Sequence, residues 1–302
     1  MKVLLFGASG RAGACVAEEA ASRGWEVLAP AHAECDLEQP DAVADFVLEH
    51  PADAVVNCAA ISGLEACADD PLRAHRINAM SPAAMALACR HTGARFIHLS
   101  TDYVLDGRKP GFKDEDYHCR PEGWYAQSKR EGELEVLDAL PQAVVARVSW
   151  ICGNPRKPAF VEQMLAKALA GHPLAAIADK FSMPTDAHDI ARAVLQLAET
   201  DYRGVIHLCS GNGEEQPLSW WDCAHLALQE AVRLGALPSM PEILRQKLAE
   251  AAFFREPRPR HTAMDNARMR SLGITLPSAK QTIQTAAARF LLTANAALAT
   301  CR

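Results

Sequence analysis

Short apolar runs recur along the first half of the chain, and each is followed by a stretch whose apolar residues return at helical spacing. The runs are Val3-Leu4-Leu5-Phe6, Trp25 to Leu28, Ala54-Val55-Val56-Asn57, Arg95 to Ser100 and Val144 to Trp150. Most are apolar without alternation, the pattern of strands covered on both faces in a parallel sheet. The segments between them supply helices. Ala12 to Arg23 turns Val16, Ala17 and Ala20 inward and stops at Gly24. Glu38 to His50 follows, with Asp36 as a candidate cap, and Pro71 and Pro82 open successive helical pieces with Asn78 between them as a structural hydrogen-bonding residue. Another helix starts near Tyr125. This alternation through residue 150 predicts an α/β fold, a Rossmann-type parallel sheet with helices on both faces.

Past Gly153 the rhythm changes. A helix introduced by Pro155 to Pro158 ends near Gly171, Ala175 to Ile177 forms a short strand, and Pro184-Thr185 precedes a helix beginning near Asp186. Gly204 to Leu208 reads as a strand, Ser219 caps a helix containing Trp220, Trp221 and Leu226, and Asp265 caps a small helix. Ser278 to Leu298 is a final helix suited to covering the core or meeting a second copy in a homodimer. The chain divides into residues 1–150, mainly a nucleotide-binding domain, and residues 151–302, mainly a small C-terminal substrate lobe with segments returning to the main sheet.

The nucleotide assignment rests on Gly7-Ala8-Ser9-Gly10-Arg11-Ala12-Gly13, directly after the first strand and opening the first helix. The first glycine allows the tight turn, the second lets backbone approach a pyrophosphate, and the third lets helix and sheet pack closely. Amides at the helix start then hold the anion. An NAD-selective site often ends its second strand in a carboxylate, but here Leu28 runs into Ala29-Pro30-Ala31-His32. Arg11 and His32 are the residues available to a 2′-phosphate, so NADPH is favoured over NADH. Asp36 has a second reading, contact near the adenine. Cys58-Ala59-Ala60, after the third strand, offers small side chains for close passage of a cofactor.

The 302 residues carry a formal charge of −6, which gives no general attraction to nucleic acid. No apolar run is long enough to span a membrane. The N-terminus reads as fold rather than as a signal peptide, and ten scattered cysteines without a C-x-x-C pair suit reduced thiols, so a cytoplasmic protein is expected. Asp114-Glu115-Asp116 reads as a solvated loop and His118-Cys119 has no matching second pair, so no metal is expected. His98 and His207, inside apolar strands, read as core imidazoles.

The chemistry is carried by Tyr125 and Lys129, one helical turn apart, with Thr101 at the carboxyl end of the fourth strand. A phenol titrates near 10 and needs help to exchange a proton near neutrality. A lysine cation beside it favours the phenolate and can also hold the cofactor ribose. Thr101 is placed to donate to a carbonyl oxygen as charge develops there, with Ser100 as its substitute and Asp102 as an orienting group. Together these groups suit carbonyl reduction. No Gly-x-Ser-x-Gly elbow supports a serine hydrolase.

Nearly the whole chain resembles the dTDP-4-dehydrorhamnose reductase family of the extended short-chain dehydrogenase/reductase superfamily. The resemblance lies in the glycine loop, Cys35-Asp36-Leu37, Asn57 to Ala60, Ser100-Thr101-Asp102-Tyr103-Val104-Leu105-Asp106-Gly107 and Tyr125 to Glu133. It continues in Arg147 to Trp150, Asp179 to Asp189, Ser219-Trp220 and Arg258-Pro259. It implies NAD(P)H-dependent reduction of the C4 ketone of dTDP-4-dehydro-L-rhamnose to dTDP-L-rhamnose, with Thr101, Tyr125 and Lys129 as the catalytic trio. The implied cofactor contacts are Gly7, Ser9, Gly10, Arg11, Ala12, Gly13, His32, Asp36, Leu37, Cys58, Ala59 and Ala60, together with Tyr125 and Lys129. Thr101, Asp102, Tyr103, Trp150 and Arg258 border the substrate in the same way. Reduction of another nucleotide-linked keto sugar is equally compatible. The main alternative from another functional class is a non-catalytic NADP-binding protein resembling the regulatory subunit of methionine adenosyltransferase.

Overall fold

The computed structural model describes residues 1–300 apart from 212 and 214, with side chains described through residue 294. Strands β1 (Lys2–Phe6), β2 (Glu26–Leu28), β3 (Ala54–Asn57), β4 (Arg95–Thr101) and β5 (Val144–Val148) are the apolar runs of the first half. Helices α1 (Arg11–Ser22), α2 (Pro40–Glu49), α3 (Leu64–Asp69), α4 (Pro71–His75), α5 (Ser81–Thr92) and α6 (Gly123–Ala139) connect them. The second half adds β6 (Ile151–Cys152), α7 (Phe160–Leu169), β7 (Leu174–Ile177), β8 (Phe181–Ser182), β9 (Thr185–Asp186) and α8 (Ala187–Ala198). It ends with β10 (Gly204–Leu208), β11 (Leu218–Ser219), α9 (Trp220–Arg233), β12 (Ile243–Gln246), α10 (Ala267–Ser271) and α11 (Ala279–Thr300).

The main sheet runs β2-β1-β3-β4-β5-β10, and every pairing in it is parallel. Side chains alternate across it. Val3, Leu5, Ile97, Leu99, Val144 and Ala146 pack under α1 and α8, while Leu4, Phe6, Val55, Phe96 and Val145 pack under α2, α5 and α6. Burial on both faces explains the even apolar runs, and each fully buried Val, Leu or Phe contributes about 1.5–3 kcal/mol. The chain leaves β1 outward to β2 and crosses back to β3 on the other side. The carboxyl ends of β1 and β3 therefore flank the crevice where such sheets bind ligands.

Three departures from the sequence expectation have local causes. Helix α2 begins at Pro40 rather than Glu38, because Asp36 Oδ1 accepts the Glu38 N–H (2.9 Å) and closes a turn first. The two helical pieces opened by Pro71 and Pro82 are joined through a π-helical turn, Arg76–Met80. That turn carries Asn78 inward, where it brackets Ile61 with both amide atoms (2.9 and 3.0 Å) and donates to Ser128 Oγ (3.0 Å). Strand β5 stops at Val148, since Ser149 donates to Asp102 (3.1 Å) and Trp150 sits at φ +35°.

The remaining elements form a second cluster, in which α7, α9 and α11 enclose Val161, Leu165, Leu228, Ile283 and Ala287 against the parallel pair β7 and β12. Helix α8 and strand β10 belong to the main sheet layer instead. Among the described residues no helix is long and apolar enough to cross a membrane.

Candidate active site

The glycine turn is as close as its spacing predicts. Gly7 has φ +80°, and a Cβ there would lie 2.6 Å from Ala59 N. A Cβ on Gly13 would stand 2.1 Å from Gly7 O, so α1 can approach β1 only with glycine at this position. Gly10 N–H donates to Gly7 O (2.9 Å), and no side chain caps the first amides of α1. A helix start with uncapped amides is a seat for a phosphate group. Arg11 is tied by its guanidinium to Lys157 O (2.9 Å) and Pro158 O (3.5 Å), which closes the loop of the second half over this end of the crevice.

A cleft of about 450 Å³ joins this turn to the candidate chemistry. Gly10, Arg11, Ala12, Cys58 and Ala60 line one end, and Thr101, Asp102, Tyr103, Tyr125, Lys129, Trp150 and Lys180 line the other. Gly7 and Gly13 shape the turn from behind, and Ser9 is exposed at its crest. Ala59 packs on the core below the sheet edge. His32, Asp36 and Leu37 do not line the cleft: His32 is exposed beside Asp36 (3.7 Å), and Leu37 packs against the core.

Tyr125 and Lys129 share a face of α6 over the end of β4. Burial pushes the Tyr125 phenol up to about 12, opposed by the neighbouring Thr101 hydroxyl, so Tyr125 holds its proton throughout the neutral range. The expected lowering by Lys129 is not what this geometry produces. The lysine stem runs beneath the strand end, where its nitrogen donates to Leu99 O (2.7 Å) and meets His98 Nε2 (3.1 Å). Burial brings Lys129 down to about 8, with Glu133 opposing.

His98 is more than a core imidazole. Asn57 Oδ1 accepts the Ala59 N–H (2.9 Å), so the Asn57 amide nitrogen faces and donates to His98 Nδ1 (3.1 Å). The ring proton is then on Nε2, toward Lys129, a neighbour better suited to the free amine than to the ammonium. Burial, and Lys129 after it, hold His98 far below its usual range, so it stays neutral. Nothing in an apolar strand sequence marks a histidine for this contact.

Ser100 and Thr101 face opposite sides of β4, and the structure chooses between them. Ser100 donates to the buried Glu133 (2.6 Å), which also receives a two-point contact from the buried Arg147 (2.8 and 2.8 Å) and one from Arg130 (2.7 Å). Its hydroxyl is spent there. Thr101 donates to Asp102 (3.3 Å) and lies beside the Tyr125 phenol, free to turn toward a ligand oxygen. Asp102 is held by Thr101 and Ser149, and burial raises its carboxyl despite these bonds and nearby Lys180.

The substrate-side candidates divide. Tyr103 meets Tyr125 edge-on (5.9 Å), and Trp150 stacks on Trp220 (5.4 Å, 8°) and against Phe160, which also lines the cleft. The φ of +35° at Trp150 is a strained backbone for a bulky residue, one of the features that cluster at ligand sites. Arg258 lines a neighbouring pocket rather than the cleft. It pairs with Glu65 (2.9 Å) and lies over the Phe254 ring (3.4 Å). Lys180 is a cleft residue that the sequence did not single out. Among the described residues no group of three or more His, Cys, Asp or Glu side chains is arranged to hold a metal.

Comparison with known proteins bears on the family and the fold. The family model described as RmlD substrate binding domain matches residues 1–292. The chain belongs to the dTDP-4-dehydrorhamnose reductase family. It is 32% identical over 281 residues to the dTDP-4-dehydrorhamnose reductase of Mycobacterium tuberculosis (strain H37Rv), covering 91% of this chain and 88% of that protein. A probable dTDP-4,6-dihydroxy-2-methyloxan-3-one 4-ketoreductase of Streptomyces antibioticus is 31% identical over 276 residues, 91% of this chain and 90% of that one. The crystal structure of a dTDP-4-dehydrorhamnose reductase from Clostridium acetobutylicum superposes with a TM-score of 0.84 at 27% identity, covering 94% of this chain and 97% of that one. At the level of the family, dTDP-4-dehydrorhamnose reductase relatives place this chain among NAD(P)-dependent oxidoreductases of nucleotide-linked sugars.

Proposed function

We propose that the protein reduces the C4 ketone of dTDP-4-dehydro-L-rhamnose to give dTDP-L-rhamnose, with NADPH favoured over NADH. The observation that carries the reading is a single cleft in which the glycine turn meets Thr101, Tyr125 and Lys129. The residues fit a dinucleotide: the uncapped first turn of α1 suits its pyrophosphate, and Lys129, with Tyr125, suits its ribose hydroxyls. When bound, a reduced nicotinamide supplies the hydride for the carbonyl carbon. NADPH is favoured because Ala29-Pro30-Ala31, not a carboxylate, follows β2. Residues 1–150 mainly hold the dinucleotide in this reading, and residues 151–302 mainly hold the substrate.

The chain's own groups divide the remaining work. Thr101 donates to the substrate oxygen as negative charge develops on it. Tyr125, protonated at neutral pH, delivers its proton to that oxygen, and Lys129, fixed by Leu99 O, orients the cofactor ribose beside it. Trp150 and Phe160 wall off water on the far side. The test is an NADPH and NADH oxidation screen against dTDP-, UDP- and GDP-linked 4-keto sugars with the product stereochemistry determined. Selective turnover of dTDP-4-dehydro-L-rhamnose supports the reading. Turnover of another sugar moves the substrate, and dinucleotide binding without any turnover favours a non-catalytic role.

A further inference from the structure

Three lysines, Lys113, Lys129 and Lys180, are each 1% exposed. Burying an ammonium is costly unless its N–H groups are met. Lys113 donates to the carbonyls of Lys109 and Gly111 (2.9 Å each), and Lys129 donates to Leu99 O (2.7 Å). Lys180 has no acceptor in hydrogen-bond range among the described residues, yet its side chain lines the cleft. Aromatic faces meet it instead, with the Asp102 carboxyl nearby: its nitrogen lies 4.9 Å from the Tyr103 ring centre and 5.7 Å from that of Trp220. Its backbone has little freedom to carry the side chain elsewhere, because the next residue, Phe181, donates to Arg260 O (2.7 Å) and accepts from Thr262 N (3.0 Å).

We propose that Lys180 is a specificity-determining residue that donates to a ring hydroxyl of the nucleotide-linked sugar, on the carbon next to the reacting ketone. The inference rests on the reductase reading and deepens it. Tyr103 stands beside both groups, its ring centre 5.9 Å from that of Tyr125 in a T-shaped pair and 4.9 Å from the Lys180 nitrogen. The ammonium therefore shares the cleft with the proton donor, with Tyr103 beside both, and is a donor available to a substituent next to the reacting ketone. The local charge favours a neutral acceptor. Asp102 already stands near Lys180, and the second cation, Arg258, is paired with Glu65, so a substrate carboxylate would face Asp102 without a free partner. Burial lowers Lys180 to about 8, opposed by Asp102, which leaves it a donor at neutral pH.

The test uses Lys180→Met, which keeps an apolar stem and removes the donors, on dTDP-linked 6-deoxy-4-keto sugars with and without the 3-hydroxyl. The variant should lose about ten- to hundredfold in kcat/KM on the hydroxylated sugar, chiefly through KM, and less than about threefold on the 3-deoxy sugar. Lys180→Gln, which restores a donor, should recover part of the loss, and NADPH affinity should match the parent in both variants. Equal kcat/KM for Lys180→Met and the parent on the hydroxylated sugar, or equal losses on both sugars, would overturn the inference. Calorimetric binding of the corresponding dTDP-6-deoxyhexoses to the NADP-loaded protein separates the two readings. Hydroxyl-dependent binding that Lys180→Met lacks, with no turnover by the parent, would sink the reductase reading and leave the role of Lys180 standing. No binding of any of these sugars to the parent would overturn both.

Discussion

Gly13→Ala probes the turn on which the cofactor seat depends. A Cβ there would sit 2.1 Å from the Gly7 carbonyl oxygen, 2.7 Å from its carbon and 3.0 Å from Ala8 Cα. The first of these is about 1 Å inside ordinary contact, and all three atoms are backbone, so no side chain can swing away. Helix α1 cannot retreat cheaply, because Val16 and Ala20 are fully buried in the core shared with β1 and α8. Overpacking of this kind costs about 1–3 kcal/mol, and the better helix propensity of alanine returns at most about 1 kcal/mol. The expected net loss is about 1–2 kcal/mol in urea unfolding. Gly10→Ala differs, since its Cβ meets only Gly7 O, at 3.1 Å, but points into the wall of the cleft. It should unfold within about 1 kcal/mol of the parent and lose about tenfold or more in NADPH affinity, read from the tryptophan fluorescence. Parental stability and parental affinity in Gly13→Ala would show that α1 does not approach β1 as described.

Thr101→Val should lower kcat about a hundredfold with KM little changed, whereas Ser100→Ala should keep kcat and lose about 1.5–3 kcal/mol of stability, because its hydroxyl serves Glu133. Glu133→Gln leaves Arg147 buried without its counter-charge and should cost about 3–5 kcal/mol in urea unfolding at pH 7. Lys129→Met bears on pH. The folded protein releases the Lys129 proton near 8 and the unfolded chain near 10.5, so the unfolded state binds more protons between those values, and this lysine makes stability rise with pH across that window. The stability difference between Lys129→Met and the parent should therefore shift in the parent's favour by on the order of 3 kcal/mol from pH 7 to pH 10.5. Tyr125 and the thiols remote from Lys129 pull the other way but cancel in the difference, whereas Cys58 and Cys67, which feel the lysine charge, do not cancel fully. A flat difference would mean that Lys129 is not buried as described.

The sheet was legible because its strands are buried on both faces, which forces apolar residues into unbroken runs. The edge strand β2 is short and half exposed, and correspondingly its sequence signal is weak. The short pairings of β6 with β9, β8 with β11 and β7 with β12 join residues far apart in the chain, and local pattern carries no trace of them. That Tyr125, Lys129 and Thr101 would share one cleft was legible from strand ends and helical spacing. Lys180 and His98 were not, because what distinguishes them is a partner, or the lack of one, that only folding supplies. Glu115, expected in a solvated loop, is buried and accepts the His207 N–H (3.0 Å) for the same reason. The family resemblance implies a substrate-side role for Arg258, and the structure pairs it with Glu65, on α3, in a neighbouring pocket.

The central claim is that the Tyr125 phenol hands its proton to a ketone inside this cleft. The most direct measurement is single-turnover oxidation of NADPH with dTDP-4-dehydro-L-rhamnose by the parent and by Tyr125→Phe, from pH 6 to pH 9, with NADPH affinity measured alongside. Loss of a general acid predicts a rate about a hundred- to ten-thousandfold lower in Tyr125→Phe, with NADPH affinity within about threefold of the parent. Equal single-turnover rates across that pH range would contradict the assignment of Tyr125.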